Sequence, residues 1–220
     1  MLTFTHRRGF TLLELLAVLV LATVLAALTL PAVRSLRSRH ALMQDAHQLV
    51  SLLATTRAHA MAQRTYAWIG FGEEDGKLLL SIVASKDGTL WFDSDKAGAP
   101  LPGEQLVQLN FVRLDHARLA LLDPGTGDGH TLETRPEADP DWGRIGANNT
   151  VFPFDYPLAG PRRHRFTRTL LFTPRGEVIV NTSYNLRPVV EIGLRATHGG
   201  PRNAVAVQIT GITGQVNLYK

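Results

Sequence analysis

Apolar residues are unevenly spread along this chain. From Leu15 to Val33 they run almost unbroken, and from Phe10 to Val33 the single charge is Glu14. A bilayer core of about 30 Å takes ~20 helical residues, so 10–33 is long enough to span one. From Leu36 to about Arg64 the pattern becomes amphipathic. Leu42, Ala46, Leu49, Leu53, Thr56 and Ala60 recur at spacings of three and four, with Met43 and Val50 on the flank. Arg39, Gln44, Gln48, Ser51, Arg57 and His59 largely take the other faces, and no Gly or Pro interrupts the stretch between Ala32 and Gln63. These patterns predict one long helix over 10–64. Its first part is expected to be transmembrane (about 10–33), and its second to lay an apolar stripe on a head.

Beyond Arg64 the period changes to two. Strands are predicted over 65–71, 77–84, 89–92, 105–113 and 117–122, then over 169–172, 177–181, 189–195, 204–210 and 215–219. Turns are expected at Glu73-Glu74-Asp75-Gly76, Lys86-Asp87-Gly88 and Thr173-Pro174-Arg175-Gly176. Residues 123–149 are rich in Gly, Pro and Asp and predict an irregular surface excursion, reaching about 123–165. The predicted class is α+β: a long N-terminal helix packed on a β-rich, mostly antiparallel head over 65–220.

Composition narrows this only a little. The 220 residues contain no cysteine, which excludes a disulfide scaffold and thiol chemistry. The formal charge is +4, but without Arg7 and Arg8 it falls to +2, so overall basicity is weak support for a nucleic-acid partner.

Glu14 carries the most information. An unpaired carboxylate at the bilayer centre costs on the order of 2.5–3.5 kcal/mol, so something must offset it. If the chain is cut before Phe10, the new α-amine lies one helical turn from Glu14, and a neighbouring subunit's amine can approach the same carboxylate. An ordinary signal peptide cut near Val24-Leu25-Ala26, or a signal anchor, is the alternative. Glu14 argues against both, since a charge weakens an apolar signal core.

The run Arg7-Arg8-Gly9-Phe10-Thr11-Leu12-Leu13-Glu14, with an apolar helix behind it, resembles the processing site of type IV prepilins and type II secretion pseudopilins. The resemblance implies a leader over 1–9, cleavage by prepilin peptidase between Gly9 and Phe10, N-methylation of Phe10 and subunit docking through Glu14. Pro31 sits where such pilins carry a proline, and a kink or melted stretch is expected there. A single pass through the inner membrane, a periplasmic head, and assembly with other pilins or pseudopilins follow from the same resemblance. The arginines on either side of the span do not by themselves favour that orientation.

The head narrows the resemblance. Arg57, Ala58 and Ala60 lead into a strand, Phe172 to Gly176 make a hairpin, and Gly214 opens the last strand. Together these are similar to the H-type minor pseudopilins and FimT-like minor pilins (the GspH/FimT-like family). This implies a structural subunit of a type II secretion pseudopilus that supports protein export. The alternative is a FimT-like minor type IV pilin acting in pilus assembly or DNA uptake.

Few groups in the head suggest chemistry. Asp93, Asp95 and Glu104 occupy the first, third and twelfth positions of a calcium loop. Ala97 at the fifth position, and Pro100 and Pro102, oppose that reading. His40, His47 and His59 lack metal-ligand spacing. The acidic residues Asp123, Asp128, Glu133, Glu137, Asp139 and Asp141 are expected to be solvated. Arg162, Arg163, Arg165 and Arg168 are the candidates for phosphate contact. FimT-like pilins implicated in DNA uptake carry a basic motif beginning at a C-terminal glycine; here that place reads Gly214-Gln215-Val216-Asn217, without arginine. No nucleophile elbow, phosphate loop, zinc motif or dinucleotide fingerprint is present, so neither enzymatic activity nor a cofactor is expected.

Overall fold

The computed structural model describes residues 12–90, 99–122, 132, 134–146, 152–161, 164–180, 186–198 and 203–220; the side chains of 28–36 lie outside that description. The chain divides into two compact units, Met1–Arg37 and Ser38–Lys220.

One helix, α1 (Leu12–Gln63), provides the first element. Its end is closed by Arg64 in the left-handed region (φ 50°), with Thr65 N–H donating to Ala60 O at 3.0 Å and Arg64 N–H to Met61 O at 3.4 Å. This is the paired hydrogen-bond pattern that satisfies the last carbonyls of a helix, here with arginine where glycine is usual. The predicted stripe is the buried one. Leu42, Ala46, Leu49, Leu53, Thr56 and Ala60 are all at most 2 % exposed.

The head contains two antiparallel sheets. In the first, β1 (Ala67–Glu74) and β2 (Lys77–Ser85) form a hairpin closed by Asp75-Gly76, as predicted. β3 (Leu106–Leu114) pairs with β2 through a bulge at Ile82/Val83, and β7 (Arg168–Phe172) lies on the other side of β1, followed by β8 (Val178–Ile179). The order is β3-β2-β1-β7-β8. In the second sheet, β4 (Ala117–Leu119), β9 (Val189–Ala196), β10 (Ala204–Thr210) and β11 (Val216–Tyr219) run in the order β11-β10-β9-β4. Ile69, Leu80 and Phe172 of the first sheet and Val190, Ile192 and Val207 of the second share one core with the stripe of α1. Val178 N–H also donates to Gly211 O at 2.7 Å, joining the two sheets at one end.

Two expectations need correction. Thr89 and Leu90 are in no strand. Thr89 N–H instead bonds the Asp87 carboxylate at 2.9 Å, a local turn that competes with strand pairing. Trp91 and Phe92 lie outside the described residues. The second correction concerns 123–165, which is more than a surface excursion. It contains β5 (Phe154–Tyr156), paired with β6 (His164–Phe166), and its described parts bury Leu132, Ala138, Arg144, Ile145, Phe152 and Phe154. Strands three residues long are too short to show a period of two, and the prolines around them read as loop.

The β5–β6 ribbon covers the outer face of the first sheet. Phe154 and Phe166 stack at 5.3 Å and join Trp68, Leu79, Val83 and Leu171 in a second core. Gly70 and Gly72 of β1 make room for it. A Cβ at Gly70 would lie 2.6 Å from the Phe166 side chain, and one at Gly72 would lie 2.2 Å from the His164 ring.

Candidate functional site

The expected processing site lies mostly outside the described residues: Gly9 and Phe10 do, and Glu14 stands in the first turn of α1 with its side chain exposed. A helix start attracts a negative group, because its first backbone N–H groups are unpaired and the dipole is positive there. Around Glu14 the described apolar side chains of 12–27 are 51–85 % exposed wherever they are large. Among the described residues no helix is long and apolar enough to cross a membrane. Phe10 and Thr11 of the expected span, and the side chains of 28–33, lie outside the description; the backbone runs as continuous helix through Pro31, so the melted stretch expected there is not seen.

Among the described residues the phosphate candidates Arg165 and Arg168 differ in situation. Arg162 and Arg163 lie outside the described residues. Arg165 is held by Asp155 across the β5–β6 ribbon, with Nε and Nη2 donating to the two carboxylate oxygens at 2.7 and 2.9 Å. That two-pronged bond raises the guanidinium pKa above its ordinary value and occupies the fork a phosphate would need. Arg168 begins β7, opposite Phe71.

Of the calcium candidates, Asp93 and Asp95 lie outside the described residues. Glu104 sits in a short 3-10 turn, Gly103–Gln105, whose carbonyl at Glu104 accepts from Lys86 Nζ. Among the described residues no cluster of three or more His, Asp or Glu side chains is placed to hold a metal ion.

Two polar arrangements escaped the sequence reading. The first is Asp45, which follows Leu42 by three positions and precedes Leu49 by four, so it shares the buried stripe. It is 5 % exposed, and its carboxylate accepts the His116 backbone N–H at 2.8 Å. Burial raises its pKa, opposed by bonds from the backbone N–H groups of His116 and Ala117. Asp45 thereby ties α1 to the turn between β3 and β4.

The second arrangement holds the segment 132–146 against the outer face of the second sheet. Glu191 of β9 is 2 % exposed and accepts from Arg135 Nε at 2.7 Å and Gln208 Nε2 at 2.8 Å, with Arg144 Nε at 3.9 Å. Arg135 also donates to Leu132 O at 2.5 Å and Leu122 O at 3.0 Å. A buried carboxylate needs such partners, because stripping water from an ion costs several kcal/mol. At the segment's margin Asp139 accepts Arg187 Nη1 at 2.9 Å. The backbone N–H groups of Trp142 and Asp141, with Arg187, lower its pKa. Asp139, expected to be solvated, is therefore a fixed ligand of its own loop. Glu191 offered one faint signal, an acid between Val190 and Ile192 in a mostly apolar strand. Its partner Arg135 is too far away in sequence to be inferred.

Residues 4–30 match the family model described as the prokaryotic N-terminal methylation motif.

The match covers part of the expected leader and most of the apolar stretch behind it, and it supports a type IV pilin-like class. It implies processing by prepilin peptidase, assembly with other pilins, and a subunit anchored to the membrane before assembly. No curated protein and no solved structure matches the chain. The motif speaks for the N-terminal segment, while the head is characterised by its own architecture.

Proposed function

We propose that the chain is a minor, H-type pilin-like subunit of a type II secretion pseudopilus, with a single membrane pass, a periplasmic head and no catalytic activity. The observation that carries the pilin-like part is the methylation motif at 4–30, with Glu14 in the first turn of an apolar helix. The H-type part is supported by α1 laying its stripe on two antiparallel sheets, and by the hairpin at Thr173 to Gly176 with Gly214 opening the last strand.

On this reading the apolar helix waits in the bilayer and then exchanges lipid for the helices of neighbouring subunits. Glu14 offsets the charge of a terminal amine during docking, and the head sets position and partners. Among the described residues, Arg165 is already paired with Asp155, and 214–217 has no arginine, which favours the secretion reading over DNA uptake.

Deleting the gene and following exported proteins tests the assignment to secretion. Export should fail, return with the wild-type chain, and return poorly with Glu14→Ala, which is still processed. Export that continues unchanged, together with loss of a surface pilus, would overturn the secretion assignment in favour of a type IV pilus.

A further inference from the structure

Three segments meet at the end of α1: its last turns, the β7–β8 turn and the β10–β11 turn. Arg57 lies at their junction and donates from Nε to Gly176 O at 3.3 Å. Beneath its guanidinium are two glycines with positive φ, Gly176 at 83° and Gly214 at 65°. A Cβ on Gly176 would lie 2.7 Å from Met61 Sδ and 3.0 Å from Arg57 Nε; one on Gly214 would lie 2.5 Å from Arg57 Nε and 2.2 Å from Gly176 O. The floor under Arg57 is therefore bare backbone, and among the described residues the guanidinium is anchored through Nε alone.

The surroundings are basic and apolar together. Arg175, exposed, precedes Gly176 in the β7–β8 turn, and Glu177 on the other side of that glycine accepts the Thr173 hydroxyl at 3.1 Å. Among the described residues neither Arg57 nor Arg175 has a carboxylate at ion-pair distance, whereas Arg113, Arg135, Arg165 and Arg187 all do. Met61, 41 % exposed, and Ile212, 64 % exposed in the β10–β11 turn, place large apolar groups at the same corner.

We propose that this corner is a protein-docking surface whose partner presents a carboxylate to the Arg57 fork and an apolar side chain to Met61 and Ile212. A planar guanidinium on a rigid floor binds a carboxylate through two parallel bonds, which a lysine cannot reproduce. Interface anchors of this kind combine an arginine with apolar contacts that exclude water. Few cations and two exposed aliphatic groups suit an acidic protein surface better than a nucleic-acid backbone, which is held by many phosphate contacts. The proposal deepens the subunit reading by naming a kind of partner. It rests on the head alone, so its failure leaves processing at Gly9, which is read by mass, untouched.

The test is a titration of the isotope-labelled full chain in detergent micelles, followed by NMR. The probes are a short alternating glutamate–leucine peptide, its lysine–leucine counterpart and a short DNA duplex. The glutamate peptide should shift the amides of Gly176 and Gly214 and the Arg57 Nε–H, and the lysine peptide should not. Ile212→Ser and Arg57→Lys should each weaken binding at least ~5-fold. If Arg57→Lys disturbs the fold, the exposed Arg175→Gln carries the charge arm and should weaken binding as added salt does. The proposal is overturned if the glutamate peptide leaves these signals unmoved, if the variants bind it as well as wild type does, or if DNA shifts the same signals at lower concentration.

Discussion

Along α1, the large apolar side chains of 12–27 are 51–85 % exposed, while Leu42, Leu49 and Leu53 are at most 1 % exposed. Both stretches belong to one helix and are rich in leucine. They differ in how the apolar residues are arranged around the axis. The first is apolar on every face, so no single head surface can bury it, and it requires an apolar surrounding such as lipid or other helices. The second confines its apolar residues to a stripe, and the two sheets cover that stripe. Each stretch also carries a carboxylate in a different situation: Glu14 exposed in the first turn, and Asp45 buried and bonded to backbone N–H groups.

The sharpest way to break the comparison is to truncate one leucine in each stretch. Leu53→Ala should lower head stability by about 2–5 kcal/mol, the range for deleting a buried leucine side chain. Leu19→Ala should leave the head within about 0.5 kcal/mol of wild type. Denaturant unfolding of the full chain in micelles, followed through the near-ultraviolet signal of the head's aromatic residues, measures both. Equal losses would mean that the two stretches are not distinct.

Next in size is Asp45. Asp45→Ala strips the acceptor from backbone N–H groups of the β3–β4 turn and should cost about 1–3 kcal/mol. Asp45→Asn keeps an oxygen there and should cost less at neutral pH. A larger loss for asparagine than for alanine in the same unfolding experiment would contradict the bonding described here.

A smaller effect is the pH dependence. The pKa of Asp45 is raised by burial above its ordinary 3.8, so the folded head holds that proton to higher pH than the unfolded chain does. Its contribution is therefore full below 3.8 and is lost as pH rises through the folded value. Asp115, lowered chiefly by its bond from Lys77, and Asp139, lowered chiefly by the Trp142 N–H, act in the opposite sense. Their contributions are present above 3.8 and are lost as pH falls. Thermal midpoints measured across mildly acidic pH should decline less steeply with rising pH in Asp45→Asn than in wild type. An unchanged profile would remove Asp45 from the account.

Much of the fold could be read from periodicity, where elements were long enough to display it. The stripe from Leu42 to Ala60 and the hairpin at Asp75-Gly76 lie where the sequence put them, because each depends on neighbours within a few residues. The β5–β6 ribbon did not announce itself. Its strands are three residues long, and its seat on β1 depends on Gly70 and Gly72, which resemble ordinary weak points in a strand. The Glu191–Arg135 pair was equally hidden, because it joins a strand to a loop far away in the chain. At the processing site the reverse holds. The expected roles of Gly9, Phe10 and Glu14 rest on a linear motif resembling that of prepilins, and residues 4–30 match the methylation-motif model.

The central claim is that the protein is made with a leader and matured as a pilin-like subunit. Intact mass and N-terminal sequencing of the protein from membranes, with and without active prepilin peptidase, test it most directly. The account predicts a chain beginning at N-methylated Phe10, and only when the peptidase is active. A chain left uncut, or one cut near Ala26, would contradict it.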